Sequence, residues 1–455
     1  MPRHAPALLA AAVAVGVVLL NIDAPLVEDG LFWWVPKALL VAESGPAFVL
    51  AELPAAALPQ SELPPQWLGG MPDYAHPPLW YWYLGLFLRL PVAPHVAVHL
   101  AALPLAAAFG WGSAELLRRA GGTWAAWGAA VFPLIPPVAA NLLRADTDLP
   151  LMALTPWALV AVLDRRDGLF ALTAALATWC KEPGILLAAP ALLACVLDRR
   201  KGWGWVAPPA ALALWALVHY LETGWGLASS ERLPETVGAW FSDIGTVLWI
   251  ALGDQFRWIL VPLAIYGLWR GTPRRRALAI LAAHTLVQLG FFGTLNFLGG
   301  LDRLDAYTHV RYLIPGILGA CTVLVALGPP NAVVLAVASL VFLYRPSPHG
   351  PESSLYGVDV GRAVREAGPL IAAQEQTTWV GSYAFTQLTR PYAGVVTTPL
   401  EGLEVYAFET DPTEVEGVIV EVCEGEPLGR LQELDLEEIE RVEVRHAWVR
   451  ILRVR

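Results

Sequence analysis

Long apolar runs, separated by short polar stretches, dominate this chain of 455 residues. A helix needs about 20 apolar residues to cross the hydrocarbon core of a bilayer, and many of the runs approach that length. The pattern predicts about eleven spans, at residues 5–22, 94–117, 124–143, 149–163, 168–180, 184–197, 203–221, 250–269, 277–296, 311–328 and 331–345. We therefore predict a mainly α fold, a polytopic transmembrane helical bundle.

Composition and charge agree with this prediction and divide the chain in two. The mean hydropathy is +0.52, and only 15% of the residues are charged, against about 25% in soluble domains. Residues 346–455 carry 19 acidic residues and 9 arginines, which accounts for the whole net charge of -10. We predict a transmembrane domain at 1–345 and an acidic soluble domain at 346–455, for which nucleic acid is not an expected partner.

The acidic tail alternates between helical and strand patterns. A helix is predicted at 360–374 and a charged helix at 427–441. Strand-like runs occur at 377–383, 393–398, 403–409, 416–422 and 442–454. Such alternation is typical of a small α/β or α+β domain.

Clusters of basic residues at the ends of the apolar runs predict the orientation, because basic loops stay in the cytoplasm. They are Arg118–Arg119, Arg165–Arg166, Arg199–Arg200–Lys201 and Arg270 with Arg274–Arg275–Arg276. This places the N-terminus in the cytoplasm and the acidic tail on the extracytoplasmic side. We expect the membrane to be the bacterial inner membrane. Two alternatives stay open: residues 76–90 form an interfacial helix, which we favour, or a span, and 168–197 is two short spans or one re-entrant unit.

Most of the unusual polar residues fall on the predicted outer face. Glu28 and Asp29 stand at the start of the first external loop (23–93), before an amphipathic pattern at 30–40 that predicts an interfacial helix. A second polar group, at the outer end of a later span, comprises Arg144, Asp146 and Asp148. Acidic residues are also common as helix caps and at helix N-termini, so neither group is decisive by itself.

For further ionisable residues we favour a functional role over a purely structural one. Lys181 and Glu182 interrupt an apolar stretch, where ionisable side chains are costly and usually functional, and a lysine suits a phosphate. Arg311 and Tyr312 open a span on the outer side, against the positive-inside trend. Carboxylates can act as general base or hold a metal, and cations can neutralise a leaving phosphate. Together they indicate transfer of a group from a phosphate-bearing lipid to an acceptor hydroxyl or amine.

Five motifs, in this order, carry a resemblance to a known family: VEDGLFWWVPKALL, HPPLWYWYLG, RADTDLPL, KEPGILLAAP and RYLIPGILG. The chain resembles the GT-C superfamily of integral-membrane glycosyltransferases over roughly residues 15–330. It looks most like the branch of protein O-mannosyltransferases and lipid A aminoarabinose transferases. The resemblance implies a polyprenyl-phosphate-linked sugar donor and an inverting displacement at the anomeric carbon, by a hexosyl- or pentosyltransferase.

The resemblance also implies roles for individual residues. The family usually reads Asp-Glu where this chain reads Glu28–Asp29, so both are candidates for the catalytic carboxylate, with Asp23 a more distant one. The implied catalytic residues are Asp29, Glu28 and Asp148. Those implied to bind the donor phosphate are Lys181, Arg311, Tyr312 and Arg144. Those expected to line the donor and acceptor pocket are His76, Glu182, Asp146 and His309. A divalent metal is a possible cofactor, with Asp29, His76 and Asp148 as possible ligands.

We therefore expect a glycosyltransferase whose partners are a polyprenyl-phosphate-linked sugar and a lipid, glycan or protein acceptor. A lipid or solute transporter is the second hypothesis. It would need ionisable groups near the bilayer midplane and related halves, and the sequence shows no internal repeat. The third hypothesis is a lipid-linked-sugar binding protein without catalytic activity.

Overall fold

The computed structural model describes most of the chain. The described residues are 4–27, 30–48, 76–144, 146–223, 274–294, 313–328, 330–346, 354–374, 376–406, 415–422 and 434–455, together with Trp249, Trp258 and Pro262. Five residues with predicted site roles lie outside them: Glu28, Asp29, His309, Arg311 and Tyr312.

Helices make up the N-terminal three quarters of the described chain. They are Ala5–Leu19 (α1), Val35–Ser44 (α2), Leu79–Leu88 (α3), Pro94–Ala120 (α4), Thr123–Trp127 (α5), Pro136–Leu143 (α6), Asp148–Leu163 (α7), Asp167–Cys180 (α8), Ala188–Leu197 (α9), Ala207–Thr223 (α10), Arg275–Thr294 (α11), Ile314–Leu327 (α12) and Pro330–Phe342 (α13). A π-helical turn, Gly30–Trp34, precedes α2, and 3₁₀ turns occur at Gly128–Leu134, Glu182–Leu187 and Gly204–Val206. The mainly helical fold class is confirmed.

The number of membrane crossings stays a prediction. Among the described residues, two helices, Pro94–Ala120 and Gly204–Glu222, are long and apolar enough to cross a membrane by themselves. A third crossing is formed if Thr123–Leu134 and Pro136–Leu143, which meet at 63°, count as one broken span. The bend lies at Ile135, whose backbone is extended before Pro136, because a proline disfavours helical geometry in the residue before it.

Close helix contacts hold the bundle together. A Cβ atom at Gly110 of α4 would lie 2.4 Å from the carbonyl oxygen of Ala10 in α1, so only a glycine allows these two helices to approach so closely. On the other side of α4, the indole of Trp157 in α7 donates a hydrogen bond of 2.8 Å to the carbonyl of Ala108. The central helix α4 is thereby fixed to both α1 and α7.

The predicted basic clusters gather at one end of the bundle. Arg119 at the end of α4 binds Asp164 at the end of α7, and Arg274 donates to the carbonyl oxygens of Arg118 and Arg119. Further pairs at this end join Arg165, Arg200 and Arg276 to Asp198. Four separate basic loops therefore share one face, as the positive-inside interpretation requires.

The aromatic helix α3 is shorter and more buried than its sequence suggests. It has 10 residues, about 15 Å of helix, which is too short to cross a bilayer. Trp80 and Tyr81 are buried inside the protein, and the interfacial position of the helix stays a prediction. Trp82 donates to the carbonyl of Ala47, which ties α3 to the residues that follow α2.

The described residues between 354 and 455 form a C-terminal unit with a five-stranded sheet. The strands are Thr378–Gly381 (β1), Leu403–Tyr406 (β2), Val418–Val422 (β3), Leu436–Val444 (β4) and Ala447–Val454 (β5). Their order in the sheet is β2-β1-β3-β5-β4. β1 is parallel to β2 and β3, and β5 is antiparallel to β3 and β4. Two helices, Tyr356–Ala372 (α14) and Ser382–Thr389 (α15), accompany the sheet, so the predicted α/β class is confirmed.

Two predictions within this unit are wrong. The charged helix at 427–441 is, from Leu436 onward, the edge strand β4, whose Ile439, Val442 and Val444 pack on the core of the unit while the intervening charges face outward. Charges are common on edge strands because they discourage further pairing, so a charged pattern does not distinguish the two structures. The strand at 393–398 is instead irregular, after a 3₁₀ turn at Pro391–Ala393.

Candidate active site

A buried ion pair joins the start of α7 to the end of α8. Lys181 Nζ lies 2.5 Å from Asp148 Oδ2, and the two side chains are 3% and 4% exposed. Asp148 is the first residue of α7, and Lys181 has an extended backbone between α8 and a 3₁₀ turn. Because α7 and α8 pack side by side, their ends bring the two charges together. Burial without a partner would cost either group several kcal/mol.

A second buried group lies just before α7. Asp146 Oδ1 accepts a hydrogen bond of 2.8 Å from the indole of Trp34, and Asp146 Oδ2 lies 3.6 Å from Arg144 Nη1. All three side chains are buried. Trp34 ends the π-helical turn that precedes α2, so this bond attaches that turn to the residues just before α7.

His76 and Glu182 form the third pair. His76 Nδ1 lies 2.7 Å from Glu182 Oε2, and both side chains are partly exposed. Burial raises the pKa of Glu182, but the adjacent imidazole, a backbone hydrogen bond and the charge of Lys181 together lower it below its ordinary value. The ring of His76 also lies 5.2 Å from the ring of Trp34.

The three pairs form one network. Trp34 contacts Asp146 and His76, His76 binds Glu182, and Glu182 is next in sequence to Lys181. All six described residues with predicted site roles are therefore brought together: His76, Arg144, Asp146, Asp148, Lys181 and Glu182. The predicted roles of these residues are not tested by their proximity and remain predictions.

Trp34 is the part of this network that the sequence did not assign. Its indole donates to Asp146, 112 residues further along the chain, and its ring also lies 5.9 Å from that of Tyr81. The sequence signal is the amphipathic pattern that places Trp34 on the buried face of the helix after the acidic pair. This pattern predicts burial but does not identify a polar partner.

The network and the basic clusters lie at opposite ends of α7. Helix α7 has 16 residues, which corresponds to about 24 Å, with Asp148 at its first residue and Asp164 just after its last. The site and the arginine end are therefore separated by about 24 Å, compared with about 30 Å for a hydrocarbon core.

The described residues give no direct evidence for a metal. Across the parts of the chain that the structure describes, no group of three or more His, Cys, Asp or Glu side chains lies close enough to hold a metal ion. Of the possible ligands, His76 binds Glu182 and Asp148 binds Lys181, and Asp29 lies outside the described residues.

Comparison with known proteins identifies the fold. The sequence matches no protein-family model and no curated protein. In three dimensions the chain is similar to ArnT from Cupriavidus metallidurans bound to undecaprenyl phosphate, with a TM-score of 0.53 and 15% identity. It is also similar to the apo state of the same protein, with a TM-score of 0.52 and 16% identity. Each match covers 98% of this chain and 97% of the other. The resemblance drawn from the motifs is thereby confirmed at the level of fold: over 98% of its length, the chain has the fold of ArnT.

Proposed function

We propose that this protein is an integral-membrane glycosyltransferase that moves a monosaccharide from a polyprenyl-phosphate donor to an acceptor hydroxyl or amine. The observation that carries the proposal is the buried network of Lys181, Asp148, Arg144 and Asp146, in a fold shared with a protein whose structure holds undecaprenyl phosphate. Ionisable groups at such depth are costly and mark functional sites.

In the proposed reaction, the acceptor oxygen or nitrogen attacks the anomeric carbon from the face opposite the lipid phosphate. The new glycosidic bond forms as the bond between the anomeric carbon and the phosphate oxygen breaks, which inverts the configuration. Polyprenyl phosphate leaves with the bonding electrons, and a carboxylate takes the acceptor's proton. The reaction therefore needs a positive charge near the leaving phosphate oxygen and a base near the proton of the acceptor.

Cations serve the phosphate end of this reaction. Lys181 and Arg144 are buried in the network, where a fixed positive charge acts more strongly on a phosphate than it would in water. We assign Arg311 and Tyr312 to the same end because of the resemblance. His76, Glu182, Asp146 and His309 are assigned to the pocket for the sugar and the acceptor.

One carboxylate serves the acceptor end of the reaction, and a second one supports the phosphate end. By the resemblance, the general base is Asp29 or Glu28. Asp148 already accepts a hydrogen bond from Lys181, so we assign it a supporting role as the second carboxylate, which keeps the lysine oriented. A divalent metal is not required by this scheme.

The arrangement of the bundle supports an outward-facing reaction. The arginine end and the site lie at opposite ends of α7, so a cytoplasmic arginine end puts the site on the extracytoplasmic side. We propose this orientation, with a transmembrane domain at 1–345 and an extracytoplasmic domain at 346–455.

Reconstitution tests the proposal. The full chain in lipid nanodiscs is given a panel of undecaprenyl-phosphate sugars and cell-envelope glycolipids, and the released undecaprenyl phosphate is measured by mass spectrometry. We expect release with at least one donor, and loss of release in D29N or E28Q and in D148N. The matched control is D164N, which alters a carboxylate of the arginine end and should keep activity.

The outcomes separate the alternatives. Binding of undecaprenyl phosphate without any turnover would favour the lipid-linked-sugar binding protein. Full activity in E28Q, D29N and D148N would overturn the proposed chemistry.

A further inference from the structure

The C-terminal unit binds the first external loop directly before the acidic pair. The amide of Leu26 donates a hydrogen bond of 2.8 Å to the carbonyl of Ala393. Gln387 of α15 donates one of 2.9 Å to the carbonyl of Leu26. All three residues are buried. Both the amide and the carbonyl of Leu26 are therefore hydrogen-bonded to residues more than 350 positions further along the chain.

Arginines of α14 extend this contact toward the N-terminus. Arg365 donates to the carboxylate of Asp23 at 2.9 Å and to its carbonyl at 2.7 Å. Arg362 donates to the side chain of Asn21 at 2.9 Å. A Cβ atom at Gly361 would lie 3.0 Å from Pro25, so α14 lies directly against the loop.

A separate contact follows the acidic pair. The hydroxyl of Tyr392 donates a hydrogen bond of 2.8 Å to the carbonyl of Leu31. Burial raises the pKa of Tyr392, which keeps the phenol a neutral donor at working pH. Leu31 lies in the same π-helical turn as Trp34, and Trp34 donates to Asp146 in the site. The C-terminal unit is thus connected to the site through a single turn of helix.

Most of these bonds end on main-chain atoms of the loop, at Asp23, Leu26 and Leu31. They fix the path of the backbone on both sides of residues 28–29. The C-terminal unit has its own hydrophobic core, which joins α14 and α15 to the sheet. It does not need the loop contacts to complete that core, so their effect falls on the loop.

We infer that the C-terminal unit positions the catalytic loop, with Gln387, Tyr392 and Arg365 as positioning residues. The inference rests on the proposed function, because it assigns the acidic pair to the reaction. A displacement of about 1 Å at a catalytic group can cost on the order of 100-fold in rate. Two-sided attachment of the loop keeps such displacements rare.

The test uses the full chain in nanodiscs and removes the bonds without removing bulk. The variants are Q387L, Y392F and their combination. The matched controls are Q374L and T389V, whose side chains bond Leu370 and Phe385 within the unit's own helices. The measurements are kcat, the KM for the undecaprenyl-phosphate sugar, the thermal midpoint and hydrogen exchange of residues 21–31.

We expect a fall in kcat of about 10-fold in each variant and roughly 100-fold in the pair, with the KM for the donor unchanged. Exchange at residues 21–31 should become faster, and the controls should match the unmodified protein in both measurements. Among arginine variants, R365K should retain most of the activity that R365M loses, because lysine can still bond Asp23.

The two failures are distinguishable. Absence of transfer by the unmodified protein would overturn the proposed function. Normal transfer by the unmodified protein and by the Q387L/Y392F pair would overturn this inference alone. An equal loss of kcat in Q374L and T389V would also overturn it, since that pattern would reflect general stability of the C-terminal unit.

Discussion

Lys181 and Asp148 form a salt bridge of 2.5 Å in which both side chains are almost fully buried. Removing one partner of such a pair leaves an unpaired buried charge, which costs about 3–5 kcal/mol. We therefore expect K181M and D148L each to lower the free energy of unfolding by about that amount. The combination K181M/D148L should regain most of the stability, because no buried charge is left alone, but it should not regain sugar transfer.

Chemical or thermal unfolding in detergent measures the free energy of unfolding of each variant, and sugar transfer is measured in parallel. The matched control is R455M, which breaks an exposed pair with Glu437 and should cost less than about 1 kcal/mol. If the losses in K181M and D148L simply add in the combination, the pair is not the coupled unit that the distance indicates.

The second prediction concerns Trp34, whose indole donates to Asp146. W34F keeps an aromatic side chain but removes the indole N–H and part of the buried ring volume, which leaves a buried carboxylate oxygen with one hydrogen bond fewer. We expect a loss of about 1–3 kcal/mol in stability. We also expect transfer to fall by about tenfold or more, because the ring fixes the first loop against the site.

The matched control for Trp34 is W157F. Trp157 also donates one indole hydrogen bond, to the carbonyl of Ala108, but it lies between α4 and α7, away from the network. The W157F variant should lose a similar amount of stability, and its kcat should be unchanged. Equal kcat in the two variants would argue against a role for Trp34 in the reaction.

Sequence reasoning succeeded where the physical signal was local. Apolar runs predicted helices, and most of the described residues in these runs are helical, because a helix satisfies its backbone hydrogen bonds within one segment. The polar residues that interrupt the runs, such as Lys181 and Asp148, were found for the same reason: each breaks the pattern at its own position.

It failed where the signal lies in a distant partner. Trp34 reads as an ordinary buried aromatic residue, and only the fold reveals Asp146 beside it. The contacts of Gln387 and Tyr392 end on main-chain carbonyls, which every residue has, so the sequence carries no trace of them. The strand β4 was mistaken for a helix because its pairing with β5 is likewise a property of the fold.

The third prediction tests the packing of α1 on α4. G110A would place a methyl group 2.4 Å from the backbone of Ala10, and a backbone atom cannot move aside cheaply. We expect a loss of about 1–3 kcal/mol. The control is G16A in α1, where nothing lies within 4 Å of the added carbon, and there alanine should be neutral or stabilise by up to about 1 kcal/mol. Thermal unfolding compares the two, and a similar result for both would contradict the close approach of α1 and α4.

The last prediction concerns pH and the contact between Asp23 and the C-terminal unit. The hydrogen bond from His95 and the charge of Arg365 hold the pKa of the Asp23 carboxyl below its ordinary value of 3.8. A carboxyl whose pKa is lower in the folded state stabilises that state above the unfolded pKa, and the contribution is lost as the pH falls through the folded pKa. The contribution of the Asp23 carboxylate to the attachment should therefore be fully present above about pH 4 and be lost below it.

Hydrogen exchange of residues 21–27, compared between the unmodified protein and D23N across this range and corrected for the intrinsic effect of pH, tests the assignment. In D23N the carboxylate is absent, so exchange should be faster at neutral pH and show no further change below pH 4. The Asp23 side chain is 72% exposed, and salt screens an exposed pair, so the difference between the two proteins should shrink in concentrated salt. The same acid-induced change in D23N as in the unmodified protein would assign the titration to another group.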